Sequence, residues 1–118
     1  MPPPFGNLEA AVDNVTGSTT VAKTDSVRVA GWVADKTDGA PLSNVKVYID
    51  GTLVGTPTLG LARPDVAGFF SNVAYTNSGY QLLYSASTLS VGSHAVTMVA
   101  IDSGSRSTTF GPLTVTVQ

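Results

Sequence analysis

The sequence predicts an all-β protein, an antiparallel β-sandwich of about seven to nine short strands joined by Greek-key connections. Apolar and polar residues alternate along several runs, and Gly, Pro, Asn or Asp residues bound most of these runs. No long run has the three-and-four apolar spacing of an amphipathic helix. Charged residues make up only 12% of the chain. Small polar and β-branched residues take their place, which favours strands over helices.

The same alternation assigns the elements in chain order. Residues 45–50 alternate most clearly, with Val45, Val47 and Ile49 facing inward, and Asp50-Gly51 predicts a tight hairpin. Residues 56–67 form a longer crossing, in which Pro57 and Pro64 exclude a central strand. The predicted strands are residues 8–12, 19–22, 27–35, 45–50, 52–55, 68–75, 80–85, 94–102 and 113–117.

The chain length predicts one domain, because 118 residues provide for a single hydrophobic core. Apolar residues make up 42% of the sequence, which is ordinary for such a core. Residues 1–5, with three consecutive prolines, are interpreted as the remnant of an extended linker. The domain then comprises residues 6–118.

Composition also excludes several classes of partner. The net charge is −2 and the six basic residues are scattered, so no basic surface for nucleic acid is expected. No apolar run is long enough to span a membrane. The absence of cysteine excludes a disulfide framework and a thiol nucleophile. The short, polar-flanked edge strand at residues 52–55 favours a monomer.

Several segments, taken together and in this order, carry a family resemblance. They are Gly31-Trp32-Val33-Ala34-Asp35, the run from Val45 to Gly51, Arg63-Pro64-Asp65-Val66-Ala67, and Leu89 to His94 with the strand that follows. The chain from about Phe5 to Val117 resembles bacterial immunoglobulin-like modules. The resemblance implies an immunoglobulin-like sandwich in a secreted or cell-surface protein, often beside hydrolase or adhesin domains. It implies no shared ligand.

We therefore expect a non-catalytic accessory module that acts as a spacer or docking domain for neighbouring domains of a longer protein. The alternative is a carbohydrate-binding module whose exposed aromatic rings Trp32, Tyr48 and Tyr75 contact a polysaccharide. A weaker alternative is a protein-binding adhesin fragment that pairs an edge strand with a surface protein. No cofactor is expected.

The role of Trp32 depends on which face of its strand it occupies. If Val27, Val29 and Val33 face the core, side-chain alternation places Trp32 on the opposite face. There the crossing at residues 56–67 either covers the indole ring or leaves it free to bind. A covered, structural tryptophan is the favoured interpretation, because large aromatic rings dominate packing energies.

Structural roles are predicted for the remaining distinctive residues. His94 occupies the position of the corner tyrosine of such sandwiches, which bonds to the backbone a few residues upstream. Arg63 and Asp65 form a bridge that ties the crossing to the sheet. Asp102-Ser103-Gly104 matches the local pattern of aspartic proteases, but it lies too late in the chain for a catalytic lobe to follow, so Asp102 is interpreted as the end of a strand.

Metal binding is the last alternative. Asp35 and Asp38 share a loop that Asp102 could approach from a second strand end. Calcium requires six to eight oxygen ligands, and these aspartates supply too few of them. No metal site is therefore predicted.

Overall fold

The computed structural model describes residues 2–118, in which nine β-strands form two facing sheets. The predicted all-β, two-sheet sandwich is confirmed, and the five-stranded sheet is curled. The four-stranded sheet has the spatial order β1 (Phe5–Asp13), β3 (Ser26–Ala34), β7 (Gly79–Ser85), β6 (Thr58–Leu61). The five-stranded sheet has the order β2 (Thr20–Val21), β9 (Ser107–Val117), β8 (Gly92–Ile101), β4 (Asn44–Ile49), β5 (Thr52–Gly55).

The core lies between the sheets because each strand presents alternate side chains to it. Every second residue of β4, and of β8 from His94 onward, is buried, as the alternation predicts. In β3 the inward residues Val27, Val29 and Val33 are buried against them. The largest fully buried side chains are Tyr80 and Met98, one from each sheet. Apolar burial of this kind is the main source of stability for a sandwich.

The N-terminal segment is divided between the two sheets. β1 pairs with β3 at the edge of the four-stranded sheet, whereas β2 pairs with β9 in parallel at the edge of the other sheet. The carboxylate of Asp13 holds the turn between them, because it accepts hydrogen bonds from the backbone N–H groups of Val15, Thr16 and Ala22. Phe5, which the sequence placed with the linker, is the first residue of β1; Met1 lies outside the described residues.

The hairpin between β4 and β5 has the predicted two-residue turn. Ile49 pairs with Thr52, and Asp50 and Gly51 both have positive φ angles, 53° and 80°. A turn with two left-handed residues matches the twist of the flanking strands, which is why Asp-Gly is favoured there.

The predicted strand at residues 68–75 is wrong. The chain forms a short helix, α1 (Pro64–Phe70), and then a single 3₁₀ turn, Val73–Tyr75. Pro64 stands at the start of α1, where its fixed φ suits a helix and its missing N–H costs nothing. A helix of seven residues is not stable alone, so its stability comes from packing on the outer face of β1 and β3. The aromatic residues within residues 68–75 suggested a strand, but aromatic residues pack equally well in a strand and on a short helix that covers a sheet.

Candidate functional site

Trp32 lies on the outer face of the four-stranded sheet, as the alternation along β3 predicts. It pairs with Asn7 of β1 on one side and Gly79 of β7 on the other. Its indole ring makes edge-to-face contacts with Phe5 and Phe70, at centroid distances of 5.8 and 5.7 Å. The ring is half-buried, so α1 and Phe5 cover part of it and leave part of it accessible.

A small second core forms where α1 crosses this face. Ala34 of β3, Val66 of α1 and Tyr75 are buried together, and Phe5 and Trp32 pack at its edge. Tyr75 is only 6% exposed, and its ring meets Phe5 and Phe70 at centroid distances of 5.4 and 5.6 Å. The predicted binding role of Tyr75 therefore has no exposed ring face to support it.

Tyr48 occupies a different surface. It lies in β4, between Leu53 of β5 and Thr97 of β8, on the outer face of the five-stranded sheet. Its side chain is half-buried. The three aromatic residues named as ligand contacts therefore do not form one platform, because Trp32 and Tyr48 face opposite sides of the sandwich.

Arg63 anchors the crossing to the sheet through two carboxylates. Its Nη1 and Nη2 atoms donate to Glu9 at 2.6 and 3.1 Å, and its Nε and Nη2 atoms donate to Asp65 at 3.0 and 2.9 Å. These hydrogen bonds from Arg63 hold the pKa of Asp65 below its usual value. The geometry is that of the predicted Arg63–Asp65 bridge, with Glu9 as the partner on the sheet.

The pairing of β1 with β3 explains the position of Glu9. A bulge in β1 between Leu8 and Ala10 leaves Glu9 without a partner in β3, and such a bulge re-aims a side chain. The Arg63 side chain passes close to Gly79, where an added Cβ atom would approach the Arg63 Cγ to 3.0 Å. Bulge and glycine together allow one guanidinium to reach both carboxylates.

Two concavities lie on either side of this ion-pair network. The first has a volume of about 380 Å³ and lies between α1 and the sheet; its lining includes the apolar Trp32, Phe69 and Phe70 and the charged Glu9, Arg63 and Asp65. The second, of about 400 Å³, continues across the sheet to Arg28 and Gln81, whose side chains are hydrogen-bonded at 2.9 Å. The two adjoin at Glu9 and Arg63, which line both, and together they are termed the groove.

Phe69 is the most exposed aromatic residue of this groove. Its side chain is 83% exposed, although it touches Phe70 edge-to-face at 5.0 Å. Phe69, Phe70 and Glu9 were absent from the predicted binding set. Phe69 and Phe70 were assigned to a strand, and only the helix and the bulge in β1 reveal that they lie close to Glu9.

His94 links the β4–β5 hairpin to the segment before β8. Its Nδ1 lies 2.6 Å from Asp50 Oδ2, and its Nε2 lies 2.7 Å from the carbonyl oxygen of Ser90. The bond to Ser90 is of the kind that a corner residue makes to the upstream backbone. The carbonyl of Ser90 and the carboxylate of Asp50 both raise the pKa of His94, which is 7% exposed.

Asp102 closes the β8–β9 turn. Its carboxylate accepts hydrogen bonds from the backbone N–H groups of Gly104 and Arg106, both at 2.9 Å, and from Arg106 Nε at 3.0 Å. Burial acts to raise the pKa of Asp102, but these bonds and the Arg106 charge outweigh it and lower the pKa. Every one of these contacts belongs to its own turn.

The three aspartates considered for calcium each accept hydrogen bonds from a different set of donors. Asp35 Oδ2 accepts from the backbone of Thr37 and Asp38, while the Asp38 carboxylate accepts from the N–H and hydroxyl of Ser103. Within residues 2–118, no group of three or more acidic, histidine or cysteine side chains is placed to hold a metal ion. None of the helices in that part of the chain is long and apolar enough to cross a membrane.

No protein-family model, curated protein or solved structure matches this chain. The resemblance to bacterial immunoglobulin-like modules therefore stays a prediction, and it rests on the residues of this chain alone.

Proposed function

We propose that the chain is a non-catalytic, immunoglobulin-like accessory module of a secreted or cell-surface bacterial protein, and that it acts as a stiff spacer between neighbouring domains. The observation that carries the proposal is the position of Pro4 and Gln118 at opposite ends of an elongated molecule. Domains joined at these two residues are held apart by the full length of the sandwich.

The separation follows from one strand. The Thr108 hydroxyl, near the start of β9, donates to the Pro4 carbonyl at 2.6 Å. From there β9 runs to Val117, and the Gln118 carbonyl accepts from the backbone N–H of Lys23 at 3.1 Å. At roughly 3.3 Å per residue, a straight strand from Thr108 to Gln118 would span about 33 Å, and the irregularity of β9 between Phe110 and Leu113 makes this an upper limit. The longest dimension of the molecule is 41 Å.

The order of the strands supports the immunoglobulin-like part of the proposal. In such sandwiches the first, second, fourth and fifth strands of the main series form one sheet, and the third, sixth and seventh form the other. Here β1, β3, β6 and β7 share one sheet, whereas β4, β8 and β9 share the other with β2 and β5. A spacer with this fold is stiff because its core joins both sheets.

The contacts of the ionisable residues support the non-catalytic part. A catalytic acid or base needs a proton or lone pair that is directed at the substrate and a pKa near the working pH. His94 has an acceptor at both ring nitrogens, and Asp102 accepts three N–H donors within its own turn. Each group thus fixes a turn of the framework.

The experiment places the module between two folded reporter domains, each carrying one spin label on an introduced cysteine. The chain itself contains no cysteine, so only the two introduced cysteines carry a label. We expect a single narrow distance distribution, which broadens strongly when a flexible Gly/Ser linker of the same number of residues replaces the module. A distribution as broad as that of the linker would overturn the spacer role.

A further inference from the structure

We propose that the groove between α1 and the outer face of β1 and β3 binds a neutral saccharide. This inference does not rest on the spacer role, because a spacer needs no ligand and a saccharide site needs no particular arrangement of the chain ends. The site combines the apolar rings of Trp32, Phe69 and Phe70 with the carboxylates of Glu9 and Asp65.

The aromatic part of the site suits the C–H face of a pyranose ring. Trp32 is held edge-to-face between Phe5 and Phe70, so its orientation is fixed before any ligand arrives. Phe69, at 83% exposure, presents most of its ring to water. Aromatic rings with one packed side and one free side are typical of binding surfaces, because burying the free side gains apolar contact area.

The polar part of the site suits hydroxyl groups that donate hydrogen bonds. Arg63 holds the carboxylates of Glu9 and Asp65 through two forks, which fix both groups in position. Each carboxylate has about four lone-pair sites, and the forks use only some of them. Asp65 is 65% exposed and lines the concavity, so its remaining acceptor sites are accessible to solvent or to a ligand.

Local charge decides against an acidic ligand. Two carboxylates and one guanidinium surround the concavity, so the net local charge is negative. A ligand carboxylate or sulfate placed there meets repulsion from Glu9 and Asp65, while both forks already occupy Arg63. A neutral sugar brings hydroxyl donors and an apolar ring face without that repulsion.

The volume favours a short saccharide with room for extension. The concavity of about 380 Å³ lies near the lower end of the range for small-molecule sites, roughly 300–1,000 Å³. On the other side of Arg63 the second concavity is lined in part by Arg28 and Gln81, whose planar polar groups are fixed by their mutual hydrogen bond. Additional sugar units have hydrogen-bonding partners in this second concavity.

The test uses the single tryptophan of the chain as the reporter. Neutral polysaccharides, namely a β-glucan, xylan, mannan and starch, are titrated against the intact protein, with polygalacturonate as the acidic counterpart. We expect at least one neutral glycan to shift the Trp32 fluorescence and to release heat in calorimetry. We expect polygalacturonate to do neither.

Matched variants then locate the site. Phe69→Ala removes an exposed ring and leaves the core intact, and we expect it to weaken binding of that glycan at least ten-fold. Leu53→Ala is the control, since Leu53 is 52% exposed on the opposite sheet, and we expect unchanged binding. Three results would overturn the proposal: no response to any neutral glycan, preference for polygalacturonate, or equal affinity of the Phe69→Ala variant. Self-association that depends on Phe69, without glycan binding, would assign the surface to a second copy of the chain instead.

Discussion

The imidazole of His94 faces an acceptor at each nitrogen, with Asp50 Oδ2 at 2.6 Å from Nδ1 and the Ser90 carbonyl at 2.7 Å from Nε2. Both nitrogens can donate only when the ring carries two protons, so the arrangement stabilises the imidazolium form. The pKa of His94 is raised above 6.5, first by the Ser90 carbonyl and then by Asp50. The pKa of Asp50 is lowered below 3.8, first by the Ala95 N–H and then by His94.

The first prediction concerns the pH dependence of stability. Because the folded pKa of His94 is raised, its stabilisation is complete below its unfolded value of 6.5 and is lost as the pH rises through the folded value. The Asp50 contribution is present above 3.8 and is lost as the pH falls through its lowered folded value. We expect urea unfolding to show that the wild type loses stability relative to His94→Gln as the pH rises above 6.5. Parallel curves for the two proteins would contradict the imidazolium assignment.

The second prediction concerns the close approach of β1 and β3 at Gly31. A Cβ atom at this position would clash with the carbonyl oxygen of Asn7 and would lie 2.6 Å from the Tyr80 hydroxyl. We expect Gly31→Ala to destabilise the protein by about 1–3 kcal/mol, as overpacking of a core does. Gly68→Ala is the control, because nothing lies within 4 Å of the added Cβ and its backbone is helical. That variant should gain up to about 1 kcal/mol of stability from helix propensity.

The third prediction concerns the buried hydroxyl of Tyr80, which donates to the Asn7 carbonyl at 3.0 Å. Burial raises the pKa of Tyr80, so the hydroxyl stays protonated across the accessible pH range. Tyr80→Phe keeps the ring and removes the bond, and we expect a loss of about 1 kcal/mol in the free energy of unfolding. An unchanged free energy would mean that the bond contributes no net stability.

The fourth prediction concerns the two forks of Arg63. A lysine carries the same charge but cannot donate in a planar fork to two carboxylates at once. We expect Arg63→Lys to loosen α1 while leaving the core intact, with faster proteolysis within residues 64–75 and a shifted Trp32 fluorescence. The loss of global stability should stay well below that of Gly31→Ala, because the pairs are partly exposed. Unchanged proteolysis would show that apolar packing alone holds the helix.

Alternation was the reliable guide from sequence to structure. The inward positions of Val45, Val47 and Ile49 and the outward position of Trp32 follow from a period of two, which strand geometry enforces once a core exists. The Asp50-Gly51 turn was predictable for a similar reason, because its backbone conformation restricts the residue types.

The candidate site was far less predictable. The sequence identified Trp32 and Arg63, but not their neighbours Phe69, Phe70 and Glu9. Helix α1 is held by tertiary packing and not by its own propensity, so its seven residues give no readable period. The bulge that directs Glu9 toward Arg63 has no sequence signature either, since it depends on how β1 pairs with β3.

The parallel pairing of β2 with β9 has a mechanical consequence. Backbone hydrogen bonds join Thr116 to Thr19 and Gln118 to Val21, both at 2.9 Å, and these bonds cross between strands that run along the long axis. Tension between Pro4 and Gln118 loads them in shear, so they share the force and must break together. Stretching the chain between Gly51 and Gly92, at neighbouring ends of β4 and β8, instead opens the ladder one pair at a time. The molecule should therefore resist a pull along its length far better than one across it, as measured by the unfolding force of single molecules held at each pair of points.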